Sequence, residues 1–206
     1  MKTKDGSGKV NRRKEILQAA EKLMLSRGLS GITTRRISEE AGCSEGALYV
    51  HFKGRLELLL AMLEESLPEM LRPLGTLQQQ VGRGSPQLNL AAALRGIFRF
   101  HQQATPRVAG LFADPELHAA FRSSLSRQKK GPHLSLKALE DYIAAEQRLG
   151  RIDRRVDPRL AAYVLMSSSF FSAFNEQFFG KPMRPTWDNL VTQIIAAVAQ
   201  EVQEAK

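Results

Sequence analysis

Apolar residues recur along this chain at intervals of three and four, and no stretch alternates apolar and polar positions long enough to build a sheet. Ile16, Leu17, Ala20, Leu23 and Met24 form one stripe. They predict a helix from a cap at Asn11 to about residue 27, ended by Gly28. Two short helical patterns follow, separated by Ala41-Gly42-Cys43-Ser44. Glycine takes a left-handed turn without a Cβ penalty, and Ser44 suits the N-cap of the second pattern. Thr34 is expected to cap the first. Leu56, Leu59, Leu60 and Leu63 predict a fourth helix over residues 55–67, interrupted or ended at Pro68.

The segment 73–86 contains Gln78-Gln79-Gln80 and Gly82-Arg83-Gly84-Ser85-Pro86, and reads as a connector. Further helices are expected over residues 87–103, from Thr105-Pro106 through residue 112, and from Asp114-Pro115 past Leu125. Others follow from Gly131-Pro132 to Leu149-Gly150, from Asp157-Pro158 to about residue 179, and over residues 187–202. The fold class is therefore all-α, with about nine or ten helices. The pattern over residues 159–179 carries apolar side chains on most faces, which implies burial on more than one side. One side meets its own core. The other is expected to meet a second copy, together with Val191, Ile194, Ile195 and Val198.

A helix of about eight residues, a glycine turn and a second short helix make a helix-turn-helix, whose second helix lies in a DNA major groove. Rotated at the helical period, Leu48 and Phe52 fall together and anchor this second helix. Gly46, Ala47 and Val50 point the other way, with Tyr49 and His51 on the flanks and Lys53 and Arg55 just beyond. A merely solvated face would carry Lys and Glu. A small outer face lets backbone approach base edges.

Charge supports a polyanionic partner. The chain carries +9, and residues 1–60 hold 12 Lys/Arg against 7 Asp/Glu, while residues 61–206 hold 18 against 14. Residues 1–10 are polar and basic and read as a flexible arm. The single cysteine, Cys43, excludes an internal disulfide and fits a reducing cytosol, where it reads as a small buried spacer. An apolar leader core is missing, as is any apolar run of membrane-spanning length, so a cytoplasmic protein is expected. Enzyme chemistry has little support. His51, His101, His118 and His133 form no i, i+4 metal pair, and no Cys/His cluster, nucleophile elbow or dinucleotide fingerprint occurs. No metal or cofactor is expected. Ser126-x-x-Lys129 reads as solvated surface, and the glycines near residue 82 lack the Gly-Lys-Ser/Thr of a phosphate loop.

The string Leu48-Tyr49-x-His51-Phe52-Lys53, at its distance after Thr33-Thr34-Arg35, resembles the TetR (tetracycline-repressor-like) regulators. Ile16 to Met24, Gly28, Ile37, Ala41-Gly42 and Leu58-Leu59 extend the resemblance over roughly the first third of the chain. It departs at Arg55, where Lys is commoner, and at Leu56, where an acidic residue usually opens the next helix. The resemblance implies a DNA-binding domain over residues 1–54 and a regulatory and dimerisation domain over 55–206. It implies base contacts from Arg35 and the outer face of the reading helix (Gly46, Ala47, Val50), with Glu45 also at the DNA interface. Thr34, Arg36, Ser44, Tyr49, His51, Lys53 and Arg55 join them at the interface, chiefly on phosphates. It also implies a homodimer through the last two helices and a pocket in the middle region. Phe98, Phe112, Phe121, Met166, Phe170 and Phe174, with polar His101, Tyr142 and Asn175, would line that pocket for a small apolar or aromatic ligand. The resulting expectation is a ligand-responsive repressor of a pseudo-palindromic double-stranded operator. The alternative from another class is a helical small-molecule-binding or enzymatic protein with an incidental helix-turn-helix pattern.

Overall fold

The computed structural model describes residues 5–65, 67–182 and 185–204. Ten α-helices occupy them: α1 Asp5–Arg27, α2 Thr34–Glu40, α3 Glu45–Tyr49, α4 Arg55–Glu65, α5 Leu67–Gln78, α6 Pro86–Phe112, α7 Pro115–Arg127, α8 Pro132–Arg148, α9 Pro158–Phe179 and α10 Trp187–Glu204. No strand occurs among the described residues. The chain forms two compact units, one of residues 1–67 and 106–127, the other of residues 68–105 and 128–206.

The first unit is built round α1. Ile16, Ala20, Leu23 and Met24 are buried against Ile37 of α2, Leu48 and Phe52 at α3, and Leu58 and Leu59 of α4, with Leu111 and Leu117 joining the same core. The expected stripe is therefore the buried one. Helix α1 starts at Asp5, so residues 5–10 of the expected arm are helical, and residues 1–4 lie outside the described residues. Gly28, at φ 69°, ends it by donating its N–H to Met24 O at 3.0 Å.

In the second unit α8 and α9 pack face to face, and Leu94, Phe98, Tyr142, Ile143, Leu165 and Trp187 fill the core. The side of α9 turned inward is mostly small: Ala161, Ala162, Ser169, Ser172 and Ala173, with Leu165 and Asn175 among them. Small side chains let helices approach closely. Two polar ones bond their own helix, with Ser172 Oγ donating to Ser168 O at 2.7 Å and Asn175 Nδ2 to Phe171 O at 2.8 Å. Asp157 caps α9 as expected, its Oδ1 accepting from Arg159 N at 2.8 Å, and Gly180 at φ 70° closes it.

Two expected breaks are absent. The connector expected from residue 73 is helical as far as Gln78, because Leu74 and Leu77 keep the helical period and are buried. Pro73 sits against Gly96 of α6, where a Cβ would lie 2.5 Å from the ring, so glycine is what permits the contact. Helix α6 likewise runs through Pro106 without ending. Proline leaves the carbonyl four residues back without its N–H partner. That carbonyl belongs to Gln102, and Gln177 Nε2 of α9 donates to it at 3.1 Å.

His101 of α6 lies half-buried, its Nδ1 3.2 Å from Ser169 Oγ and its ring edge-on to Phe170 at 5.6 Å. Burial lowers its pKa from near 6.5 to about 4. A histidine whose folded pKa lies below its unfolded one costs stability when protonated, so stability is lost as pH falls from about 6.5 toward about 4. The melting temperature of the wild type is expected to fall over this window more steeply than that of His101→Leu. Parallel curves would mean that another group governs the acid transition.

Candidate nucleic-acid interface

The turn between α2 and α3 is fixed by backbone chemistry. Gly42 adopts φ 62°, and Cys43 N–H donates to Ser38 O at 2.9 Å. Ser44 Oγ accepts from Ala47 N at 3.1 Å, as its cap position requires. The cap of α2 is Thr33, not the expected Thr34, since Thr33 Oγ1 accepts from Arg36 N at 3.3 Å. This frees the Thr34 hydroxyl, which reaches across to α3 and donates to Glu45 Oε1 at 2.9 Å.

Leu48 is completely buried and Phe52 nearly so, while Glu45, Gly46, Tyr49 and Val50 are exposed. Val50 is 67% and Tyr49 51% accessible. An apolar side chain that open to water, beside a glycine whose missing Cβ would meet only Ser44 Oγ at 3.8 Å, forms a shallow surface that backbone or base edges can approach. Ala47 and His51 are half-buried at its margins, and Lys53 is exposed.

The basic residues divide by what already holds them. Arg35 Nε donates to Glu39 Oε1 at 3.0 Å on an exposed surface. Such a pair is worth about 0–1 kcal/mol, so exchange for a nucleic-acid contact costs little. Arg36 Nη1 donates to Gly31 O at 2.8 Å yet stays exposed.

Arg55 corrects its sequence assignment to phosphate. Its Nε donates to Ile32 O at 2.9 Å, Nη2 to Leu29 O at 3.1 Å and Nη1 to Asp114 Oδ2 at 3.0 Å. The guanidinium fork is turned into its own unit, tying the segment before α2 to the N-terminus of α7. Asp114 caps that helix through Leu117 N at 3.0 Å. The Leu117 N–H first, and Arg55 after it, hold the Asp114 carboxyl below the ordinary carboxylate range against the opposing effect of burial. The carboxylate expected to be missing at Leu56 is supplied one residue later. Glu57 Oε2 accepts from Lys53 N at 3.0 Å, closing the start of α4.

The sequence model of the family described as "Bacterial regulatory proteins, tetR family" matches residues 16–62, which are α1 through most of α4. Through this head the chain is similar to the TetR family. Over 66 residues it is 47% identical to the nucleoid occlusion factor SlmA of Vibrio cholerae, a match covering 30% of this chain and 34% of that protein. Over 70 residues it is 37% identical to the HTH-type transcriptional repressor AcnR of Corynebacterium efficiens, covering 34% and 37%. The chain thus spans about a third of the length of the curated relatives it matches. Among solved structures, a SmeT–triclosan complex superposes with TM-score 0.66 at 23% identity, covering 91% of this chain and 90% of that one, a likeness of fold.

Outside the TetR-type head, the nine residues expected to line a ligand cavity are divided. Phe112 and Phe121 belong to the first unit, where Phe121 packs on the core and Phe112 is exposed with its ring 5.5 Å from His118. Phe98 and Tyr142 are core filling. Phe98 tilts against Trp187 at 5.2 Å, and the Tyr142 hydroxyl accepts from Asn89 Nδ2 at 3.0 Å. Phe170 and Phe174 are exposed, standing on the outward face of α9. Asn175 spends its amide on Phe171 O. Met166 and His101 are half-buried neighbours of the second core. A cleft of about 620 Å³ between α8 and α9, with His133, Leu136, Leu160 and Tyr163 on its walls, involves none of the nine. Sequence periodicity separated buried from exposed faces poorly on α9, because its inward side is the small one.

Arg55→Ala removes three partly buried hydrogen bonds, one of them to a carboxylate, and is expected to cost about 2–3 kcal/mol of stability. Lys53→Ala is expected to leave the melting temperature alone and to flatten the salt dependence of DNA binding by about one log-log unit. The reverse pattern, a flattened salt slope and unchanged melting for Arg55→Ala, would restore Arg55 to the phosphate backbone.

Proposed function

We propose that this chain is a dimeric transcriptional repressor that reads a pseudo-palindromic DNA operator and lets go when a small apolar or aromatic molecule binds. The observation that carries the reading is the open outer face of α3, small at Gly46 and Ala47 and apolar at Val50, on a helix-turn-helix frame that matches the TetR family. Arg35 and this face carry base contacts. Tyr49, His51 and Lys53 lie along the phosphates, with Thr34, Arg36 and Ser44 beside them. Residues 1–54 form the reading domain and residues 55–206 the regulatory one. The task is binding, not catalysis, and its place is the cytoplasm. No helix among the described residues is long and apolar enough to cross a membrane.

The dimer rests on α9. Tyr163, Phe170, Phe171, Phe174, Phe178 and Phe179 are all exposed, with Phe171 65% and Phe178 71% accessible. Phe174 stacks on Phe178 at 5.8 Å, making one continuous apolar ridge. Monomeric proteins rarely leave such a patch in water. Ile194 of α10 is half-buried, and the Val198 side chain, also expected at this interface, lies outside the described residues. The effector site is sought in the second unit near His101 and Met166, where neutral imidazole and Ser169 offer one polar anchor among apolar side chains. SmeT with triclosan, whose fold this chain shares, supports a ligand of that chemistry, and AcnR supports repression as the output.

Selection from random duplex DNA tests the reading, with a two-fold symmetric consensus expected and half-sites about 34–36 Å apart. Sedimentation tests the assembly. The wild type is expected to be a dimer at micromolar concentration, and Phe171→Glu with Phe178→Glu a folded monomer whose operator affinity falls more than about tenfold. A wild-type monomer at that concentration would remove the two-half-site arrangement.

A further inference from the structure

Glu45 stands on the surface that meets DNA, at the first position of the reading helix, exposed and negatively charged. The other acidic residues of this unit are mostly neutralised by a cation. Glu15 pairs with Arg12, Glu21 with Arg107, Glu39 with Arg35, Glu40 with Lys22 and Glu65 with Arg13. Among the described residues no Lys or Arg pairs with Glu45. Its Oε1 instead accepts the Thr34 hydroxyl, which fixes the carboxylate between the N-termini of α2 and α3. A first-turn acid favours the helix dipole, but that effect is small on a five-residue helix and needs no hydroxyl to hold the side chain in place.

A carboxylate accepts hydrogen bonds and donates none. Next to a phosphate it is repelled. In the major groove the donors it can meet are the N4 amino group of cytosine and the N6 amino group of adenine. Adenine places the N7 acceptor beside N6, where it opposes the second carboxylate oxygen. Cytosine places a C–H beside N4. We propose that Glu45 reads one cytosine in each half-site, Oε2 accepting from N4–H while Oε1 stays on Thr34, which acts as the positioning residue. This rests on the DNA-reading role proposed above and adds a base identity to it. Guanine or thymine at that position leaves the carboxylate desolvated without a donor, so discrimination works by exclusion as much as by attraction. The Thr34 hydroxyl has a single hydrogen, so while it holds Glu45 it donates to no phosphate.

Selection from random duplexes with wild type, Glu45→Gln, Glu45→Ala and Thr34→Val tests the assignment, with melting curves confirming that each variant is folded. Wild type is expected to prefer cytosine at one position per half-site by about tenfold. Glu45→Ala should lose that preference to within about twofold while the rest of the consensus persists, and Thr34→Val should reduce it. Glu45→Gln keeps the shape, still accepts from Thr34 and gains an amide donor, so its preference should move to adenine. With the wild-type protein, replacing the selected cytosine by 2-pyrimidinone, which lacks the N4 amino group, should weaken binding by a similar factor. An unchanged consensus in both Glu45 variants, or indifference to the missing amino group, overturns the assignment. A wild type that selects no sequence at all overturns the DNA-reading role itself, and this inference with it.

Discussion

Helix α3 has five residues, and a helix that short has no stability of its own in water, since nucleation costs more than so few hydrogen bonds return. Its geometry is therefore imposed from below and from both ends. Leu48 and Phe52 anchor it to a core supplied by α1 and α4. Cys43 N–H ties the turn to α2, Ser44 satisfies an orphan N–H, and the Thr34–Glu45 bond joins the two N-termini. Because every stabilising contact lies on the inner face or at the ends, the outer face has no packing task. That is why it can be Gly46, Ala47 and Val50. A helix twice as long would hold itself together better and would depend less on the frame that aims it.

The same logic sorts the arginines of the head. Arg35 and Arg55 carry identical forks, yet one is available and the other is not. Arg35 has one carboxylate partner across open solvent, and water or a nucleic-acid acceptor can replace it at little cost. Arg55 serves three acceptors, two of them carbonyls, with its side chain about one-third accessible. Removing it would strand partly buried acceptors, which is the expensive direction. A net positive head thus contains cations of two kinds, and net charge alone does not distinguish them.

Where chemistry is local, the chain could be read directly. Asp157-Pro158, Asp114-Pro115 and Gly131-Pro132 set helix starts that the structure keeps, because a cap and a proline act within one turn. Ser44 and Gly42 did the same for the reading helix. The misreadings share a cause, which is that tertiary partners override a local signal. Pro106 fails to end α6 because Gln177, seventy-one positions later, satisfies the carbonyl that proline orphans. Arg55 looked like a phosphate ligand because its acceptors at Leu29, Ile32 and Asp114 are invisible in the local pattern. Phe170 and Phe174 were read as cavity lining because an aromatic at helical spacing ordinarily marks the core. On α9 the rule is largely inverted, with mostly Ala and Ser beside Leu165 inside and phenylalanine outside.

That inversion has an energetic consequence. Alanine and serine bury little apolar area, so the inward face of α9 contributes through close approach to α8 more than through side-chain transfer. The large side chains are the ones left in water, and fully burying a phenylalanine is worth about 1.5–3 kcal/mol. Several such residues on one ridge represent apolar surface that a single copy of the chain cannot use. A second copy seated on that ridge would recover it, and its contribution would then appear in the stability of the folded chain as well as in assembly. Dimerisation and folding of the second unit would then be parts of one equilibrium. A ligand that altered the packing beneath α9, near His101 and Ser169, would act on the same ridge from its inner side.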